Sequence, residues 1–357
     1  MEKKYHVGFL GAGGIARSHV YALDALKFYY QDSPAIQKVL VASPTPQSRE
    51  SFAQRFGFTE VVHPDLFWEN NAVDTLFILS PNKTHTQQLL KAAQMPHIQR
   101  IYVEKPLGIS HQDINDLEEL SEQKHGKIIL TGFQFLQKSA IRRALADWHS
   151  GVFGTPVHFR AEYHHSSYLD RAYRLKHPDR LVTIPENGAI ADMGSHILSL
   201  LTAFLGNTLV VNFAKSSGHF PEVPKNSDLC TTVLLEDSTS GAIGTLVASR
   251  ITTGAGDLLT FEIHGTRGSI QYTTDNPDCY ETYLPDRGWQ RHEIMSDYGS
   301  TSKFPAHYVP SGWLRALIHT HYLFLGGESG HSIVPDLKHG ILVQRLIQQI
   351  ADFILDS

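Results

Sequence analysis

Three short segments carry residues able to do chemistry. Gly11-Ala12-Gly13-Gly14-Ile15-Ala16 follows an apolar run, Tyr5 to Leu10, and opens a helical pattern. It fits G-x-G-x-x-A. Gly11 allows a tight turn, Gly13 lets the backbone approach a pyrophosphate, and Ala16 permits close helix–strand packing. Glycine clusters also make ordinary turns, but the strand before and the helix after favour a dinucleotide, with Gly14 and Ile15 at the helix N-terminus. Val103-Glu104-Lys105-Pro106 ends a later strand, where ligands of parallel sheets bind. Alone, the segment reads sooner as a surface turn with Lys105 solvated. Gly188 to His196 places Asp192 four residues before His196. On a helix the two share one face, and a carboxylate that orients an imidazole is an acid–base pair. Alone, it reads equally as a helix cap and a satisfied histidine.

The elements that must position these residues change in kind along the chain. In the first third, strands at Tyr5–Leu10, Lys38–Ala42, Asp74–Leu79, Arg100–Val103 and Lys127–Phe133 alternate with helices. That pattern predicts a Rossmann, doubly wound parallel sheet over residues 1–135. Residues 136–357 predict an α+β domain with a large open, mainly antiparallel sheet. Its strands lie at Val157–Tyr163, Leu209–Ala214, Leu229–Leu235, Gly241–Ile251, Leu259–His264 and Ser269–Thr273. Helices are expected at Gly14–Leu26, Gln137–His149, Ala191–Phe204, Trp313–Leu325 and Leu337–Leu355. Tyr280–Pro310 shows no clear pattern.

The 357 residues suit two domains, and 19% charged residues with a net charge of −5 give no basic block for nucleic acid. No apolar run is long enough to span a membrane and no secretory signal is read, so a cytoplasmic enzyme is expected. Two cysteines do not make a disulfide framework. The 21 histidines form no cluster with metal-ligand spacing, so no metal is expected. The second strand ends at Ser43, where NAD-specific sites carry an acid. Serine does not repel a 2′-phosphate, so NADP is favoured slightly over NAD.

Jointly, and in this order, the motifs resemble the Gfo/Idh/MocA (glucose–fructose oxidoreductase/inositol dehydrogenase) family. The carrying segments are Gly8–Ala16, Ser80-Pro-Asn82-Lys-Thr-His85, Glu104-Lys105-Pro106 and Asp192-Met-Gly-Ser-His196; Gly244-Thr-Leu, Ile263–Gly268 and Pro335–Gly340 agree later in the chain. The resemblance implies hydride transfer between a nicotinamide cofactor and a secondary alcohol or ketone of a sugar, cyclitol or sugar derivative. It implies that Lys105 binds the reacting hydroxyl, that His196 is the proton acceptor and donor, and that Asp192 orients it. Ser80, Asn82, His85 and Glu104 would border the cofactor.

One departure is the absence of an arginine common after the last strand of the first domain, where this chain has Phe133-Gln134-Phe135-Leu136. Gln134, Tyr163, His164, Tyr168 and Arg174 are candidate substrate contacts. The fold also serves non-catalytic dinucleotide-binding regulators and redox-neutral glycoside-processing enzymes with tightly bound NAD. The joint presence of Lys105, Asp192 and His196 weighs against the regulator. An open sheet needs its second face covered, so a homodimer or homotetramer through the C-terminal sheet is expected.

Overall fold

The apolar runs of the first third become six parallel strands. In the computed structural model, which describes residues 4–181, 184–225, 227–294, 298, 304, 312–327 and 333–355, they alternate with helices. The order is β1 (Lys4–Leu10), α1 (Gly14–Tyr29), β2 (Ala35–Ala42), α2 (Pro46–Phe56), β3 (Glu60–Val62), β4 (Thr75–Ile78), α3 (His85–Gln94), β5 (Arg100–Val103), α4 (His111–Glu122) and β6 (Ile128–Thr131). The sheet order is β3-β2-β1-β4-β5-β6, the doubly wound arrangement. Its central strands are buried on both faces, so they read as continuous apolar runs. Only β3 was not anticipated: it has three residues and no buried side chain.

After α5 (Ser139–His149) come β7 (Pro156–His164), α6 (Arg171–Lys176), α7 (Ser195–Leu205), β8 (Leu209–Ser217), β9 (Cys230–Asp237), β10 (Ala242–Ser249), β11 (Leu258–Gly265), β12 (Ser269–Thr273), β13 (Cys279–Leu284) and β14 (Gly288–Glu293). The eight strands order as β14-β13-β12-β11-β7-β10-β9-β8. All neighbours are antiparallel except β7 and β10, which run parallel at the centre. That crossover is not visible in the sequence, because alternation reports a face and not a partner. β13 and β14 both lie beyond the strands the sequence predicts: β14 has no buried residue and so no alternation, and β13 buries the polar Thr282 on its inner face, which breaks the apolar period. The part of Tyr280–Pro310 beyond β14 lies largely outside the described residues.

Side chains of the sheet's inner face, such as Phe159, Val233, Leu246 and Phe261, are buried. Phe204 of α7 meets Phe261 at 4.9 Å between ring centroids and Trp148 of α5 at 6.5 Å. The outer face is divided. Val210, Phe213, Leu234 and Ile243 are exposed on β8, β9 and β10. A depression of about 260 Å³ on the other half has Arg160, Glu262, Gln271, Glu281 and Arg291 among its lining residues.

Cα proximity divides the chain into two units: Met1–Gly108, Gln112–Gln137 and Tyr298–Lys338 form the first, and Ile109–His111, Lys138–Asp297 and His339–Ser357 the second. α8 (Trp313–Phe324) thus packs with the first unit, where Leu317, Ile318 and Phe324 join the core of Phe9, Leu23 and Phe77. α9 (Leu337–Leu355) follows.

Candidate active site

In the first unit, the glycine turn has the expected form. Gly11 has φ +119°, and a Cβ there would lie 2.4 Å from the Leu79 carbonyl oxygen, so only glycine fits. Gly13 caps α1 without a side chain, and the first turn holds no acid. A Cβ at Gly13 or Gly14 would meet nothing within 4 Å. Gly13, Gly14 and Ile15 are exposed, and Ala16 is fully buried against the sheet. A helix N-terminus left open in this way suits an anion. Ser43 directly follows β2, and its carbonyl accepts a hydrogen bond from Arg49 Nη1 at 2.9 Å. The end of β2 therefore carries a guanidinium where an acid would select NAD.

The turns after β4 and β5 are tied together by His85. Its Nδ1 lies 2.8 Å from the Pro106 carbonyl oxygen and its Nε2 lies 2.7 Å from that of Ser80. Burial holds its pKa below the ordinary histidine value, although both carbonyls oppose this. His85 is buried with both ring nitrogens against backbone carbonyls, so it shapes the turns after β4 and β5. Ser80 and Asn82 stand on the turn His85 holds, half-buried. Glu104 is buried and Lys105 half-buried. Burial pushes the Glu104 carboxyl up, but His19, Lys105 and His85 outweigh it and hold it below its ordinary value. Gln134 is buried in the 3₁₀ turn Gln134–Gln137 after β6.

In the second unit, Asp192 is not on an ordinary α-helix. Ile190–Gly194 is a π turn, closed by the Ser195 N–H donating to the Ile190 carbonyl, and α7 begins at Ser195. Such turns insert one residue and often occur at functional sites. Sequence and packing favour it here. Gly188 has φ +121°, and a Cβ there would lie 2.8 Å from Asp228. The buried Asp228 accepts the Ile190 N–H at 2.7 Å and the Thr231 hydroxyl at 2.6 Å, which fixes the start of the turn. Burial raises the Asp228 pKa against these hydrogen bonds. Gly194 leaves room against Ile190 and Ala248.

The side chain of Asp192 is held by a residue the sequence did not single out. Arg250 Nη2 donates to Asp192 Oδ2 at 2.9 Å and to Asn187 Oδ1 at 2.9 Å, and Nη1 donates to the Arg180 carbonyl at 3.1 Å. Arg250 is fully buried, with its guanidinium 4.8 Å from the Tyr168 ring. His196 is buried in the first turn of α7, its ring centroid 6.2 Å from that of Tyr163. Tyr163 donates its hydroxyl to Asp257 at 2.6 Å. His165 stands nearby; burial lowers its pKa, with Asp192 opposing.

Tyr163 and Tyr168 thus gather with Asp192, His196 and Arg250. Two expected contacts do not. His164 projects to the opposite face of β7 from Tyr163, with ring nitrogens 2.9 Å from Thr252 Oγ1 and 2.9 Å from Glu162 Oε2. Alternation along a strand requires this. Arg174 is buried, bonded to the Tyr168 and Leu169 carbonyls and to Glu222, with its guanidinium 3.7 Å from the Phe220 ring. It clamps its own loop and is not presented to a ligand.

Comparison with known proteins agrees with this architecture. Residues 5–133 match a family model described as oxidoreductase family, NAD-binding Rossmann fold, and residues 140–271 match the GFO/IDH/MocA C-terminal domain. Levoglucosan dehydrogenase of Pseudarthrobacter phenanthrenivorans is 24% identical, over 97% of this chain and 95% of its own length. The scyllo-inositol 2-dehydrogenase (NAD(+)) of Bacillus subtilis is 25% identical, over 76% of this chain and 74% of its own. A solved levoglucosan dehydrogenase in complex with NADH and levoglucosan superposes with a TM-score of 0.86 at 22% identity, covering 99% of this chain and 98% of that one. An inositol dehydrogenase homolog from Azotobacter vinelandii, complexed with NADH and myo-inositol, gives 0.80 at 16% identity, covering 99% and 96%.

Proposed function

The chain belongs to the Gfo/Idh/MocA family of oxidoreductases, and from that premise we propose that Lys105, Asp192 and His196 are its catalytic set, acting on a sugar, cyclitol or sugar derivative. It is an NAD(P)-dependent oxidoreductase of CH–OH groups. The observation that carries the reading is the open N-terminus of α1. Gly13 caps it without a side chain, no acid repels an anion there, and Gly13 and Gly14 face free space. These features fit the pyrophosphate of a dinucleotide. Residues 1–135 would hold the cofactor, with Ser80, Asn82 and Glu104 bordering it, and residues 136–357 the substrate.

When bound, the nicotinamide exchanges a hydride with the substrate carbon. The protein's part is orientation and proton handling. Lys105 binds the reacting hydroxyl and favours its ionisation. His196 takes the hydroxyl proton in oxidation and returns it in reduction. Asp192, held by Arg250 through Nη2, orients His196 and balances the imidazolium. Tyr163 and Tyr168 supply polar side chains for the substrate, and Gln134 is a further candidate contact in a chain that lacks the family's arginine.

The guanidinium of Arg49 at Ser43 supports use of NADP as well as NAD. The apolar half of the outer sheet face, with Val210, Phe213, Leu234 and Ile243 exposed, supports a homodimer or homotetramer through that sheet. The free thiols Cys230 and Cys279 suit the cytoplasm.

The test is reduction of NAD and NADP, followed by nicotinamide absorbance, against anhydrosugars, inositols and sugar phosphates. Levoglucosan and scyllo-inositol lead the panel because relatives are named for them. Absence of turnover with either cofactor, together with absence of cofactor binding by fluorescence, would refute the reading.

A further inference from the structure

Glu104 is followed directly by Lys105 and is held from behind by His19, which His321 backs in turn; the mechanism above uses neither histidine. Its Oε1 lies 2.9 Å from His19 Nε2, and His19 Nδ1 lies 3.0 Å from His321 Nε2. His19 is in α1, His321 in α8, and both are fully buried. The two rings meet edge to edge and nearly parallel, 16° apart with centroids at 5.0 Å, and the Tyr102 ring lies steeply inclined to each.

One N–H on each ring meets both contacts. His321 Nε2–H donates to His19 Nδ1, and His19 Nε2–H donates to Glu104. The alternative, with His19 donating at both nitrogens, would put the His321 N–H on Nδ1. That atom is buried with no hydrogen-bond partner among the described residues, and a stranded donor is costly. Burial holds the His321 pKa well below the ordinary value, with His19 adding to this. The chain of rings therefore ends inside the protein. It fixes charge and orientation and does not conduct protons to solvent.

The other end of the chain is the segment that carries Lys105. The Lys105 backbone N–H donates to Glu104 Oε2 at 3.3 Å, and the Glu104 N–H donates to the Ile78 carbonyl at 3.0 Å. Gly132 leaves the space: a Cβ there would lie 2.9 Å from Glu104 Oε2. On the far side of Lys105, His85 holds the Pro106 carbonyl. Lys105 thus sits between two segments that buried histidines pin.

We propose that His19, backed by His321, is a positioning residue that holds the Glu104 carboxylate, and with it the backbone of Lys105, in the working geometry. This rests on the reading of Lys105 as catalytic. The groups facing Glu104 are His19 from α1, His85 from α3, Lys105 beside it, and Tyr102 from the same strand. Of these, His19 does most to keep the buried carboxyl ionised.

The replacements at position 19 separate the two bonds. Glutamine places its amide nitrogen near the position of imidazole Nε2, so His19→Gln keeps the donor to Glu104. His19→Asn reaches only to the position of Nδ1 and loses that donor. On a confirmed substrate, His19→Asn should lower kcat about tenfold and move the acidic limb of its pH profile up by about one unit. His19→Gln should stay within about threefold of wild type with the limb in place. An unmoved limb in folded His19→Asn, or equal loss in both variants, overturns the proposal. If His19→Asn does not fold, pH-difference infrared of the wild-type holoenzyme decides, with Glu104→Gln as the reference. A carboxylic-acid band from Glu104 at about pH 6 overturns the proposal, because an unheld buried carboxyl titrates upward. Its absence there supports it. Lys105→Met separates the two levels: if it keeps turnover, the catalytic reading fails whatever the infrared shows.

Discussion

Arg250→Met tests how the site is held. The substitution removes Nη2 from Asp192 and Asn187 and Nη1 from the Arg180 carbonyl. At 2.9 Å, an effective dielectric of about 20 gives roughly 6 kcal/mol of attraction between Arg250 and Asp192. That is an upper limit, because both groups lose water on burial. Removing one partner of a buried pair costs about 3–5 kcal/mol. The Asp192 side chain keeps 31% exposure and can be hydrated after the change, which brings the cost to about 2–3 kcal/mol. In a unit of this size that lowers the unfolding midpoint by about 5–10 °C, which calorimetry reads. The pH profile reads the chemistry. Without the cation, Asp192 favours the His196 imidazolium more strongly, so the acidic limb of oxidation moves up, by about one unit. Asp192→Asn leaves Arg250 uncompensated and moves the same limb down. If both limbs stay in place or move together, Arg250 and Asp192 do not set the charge at His196.

Four other outcomes are expected. His196→Ala should lose about 10²–10⁴-fold in turnover while binding dinucleotide nearly as wild type, and Lys105→Met should be inactive with cofactor binding retained, both measured by initial rates and fluorescence titration. Ser43→Asp should lower the NADP/NAD affinity ratio, since a carboxylate captures the ribose diol and repels a 2′-phosphate; an unchanged ratio removes position 43 from the adenosine site. Ile243→Asp with Phe213→Asp, both on the exposed apolar half of the outer sheet face, should reduce the mass seen by light scattering, and a wild-type monomer at micromolar concentration would refute that interface. Glu104 is held below its ordinary pKa, so its ionised form stabilises the fold above the unfolded value of about 4.3 and that contribution is lost as pH falls through the lower folded value. Glu104→Gln should therefore flatten the acid side of the unfolding-midpoint curve; an unchanged slope would show that Glu104 does not carry it.

What the sequence shows and hides follows from the distance over which each feature is decided. The glycine turn is local: Gly11 needs its positive φ because the Leu79 carbonyl crosses it, and the surrounding strand and helix announce the motif. The parallel strands are readable because burial on both faces makes them continuously apolar. The edge strand β14 has no such constraint, so its residues carry no period. Asp192 and His196 stand out by their spacing, yet the π turn between them depends on Asp228, which reaches Ile190 from 38 residues away. Arg250 is 58 residues from Asp192, and no period connects them. His19 reaches Glu104 across 85 residues and His321 across 302. His19 lies on the helix that opens the cofactor turn, where its position shows only a helical face. In each case the group proposed to do the chemistry is named by a local motif. The groups that set its charge and orientation come from other strands and helices, and become identifiable only when the sheet order brings them together.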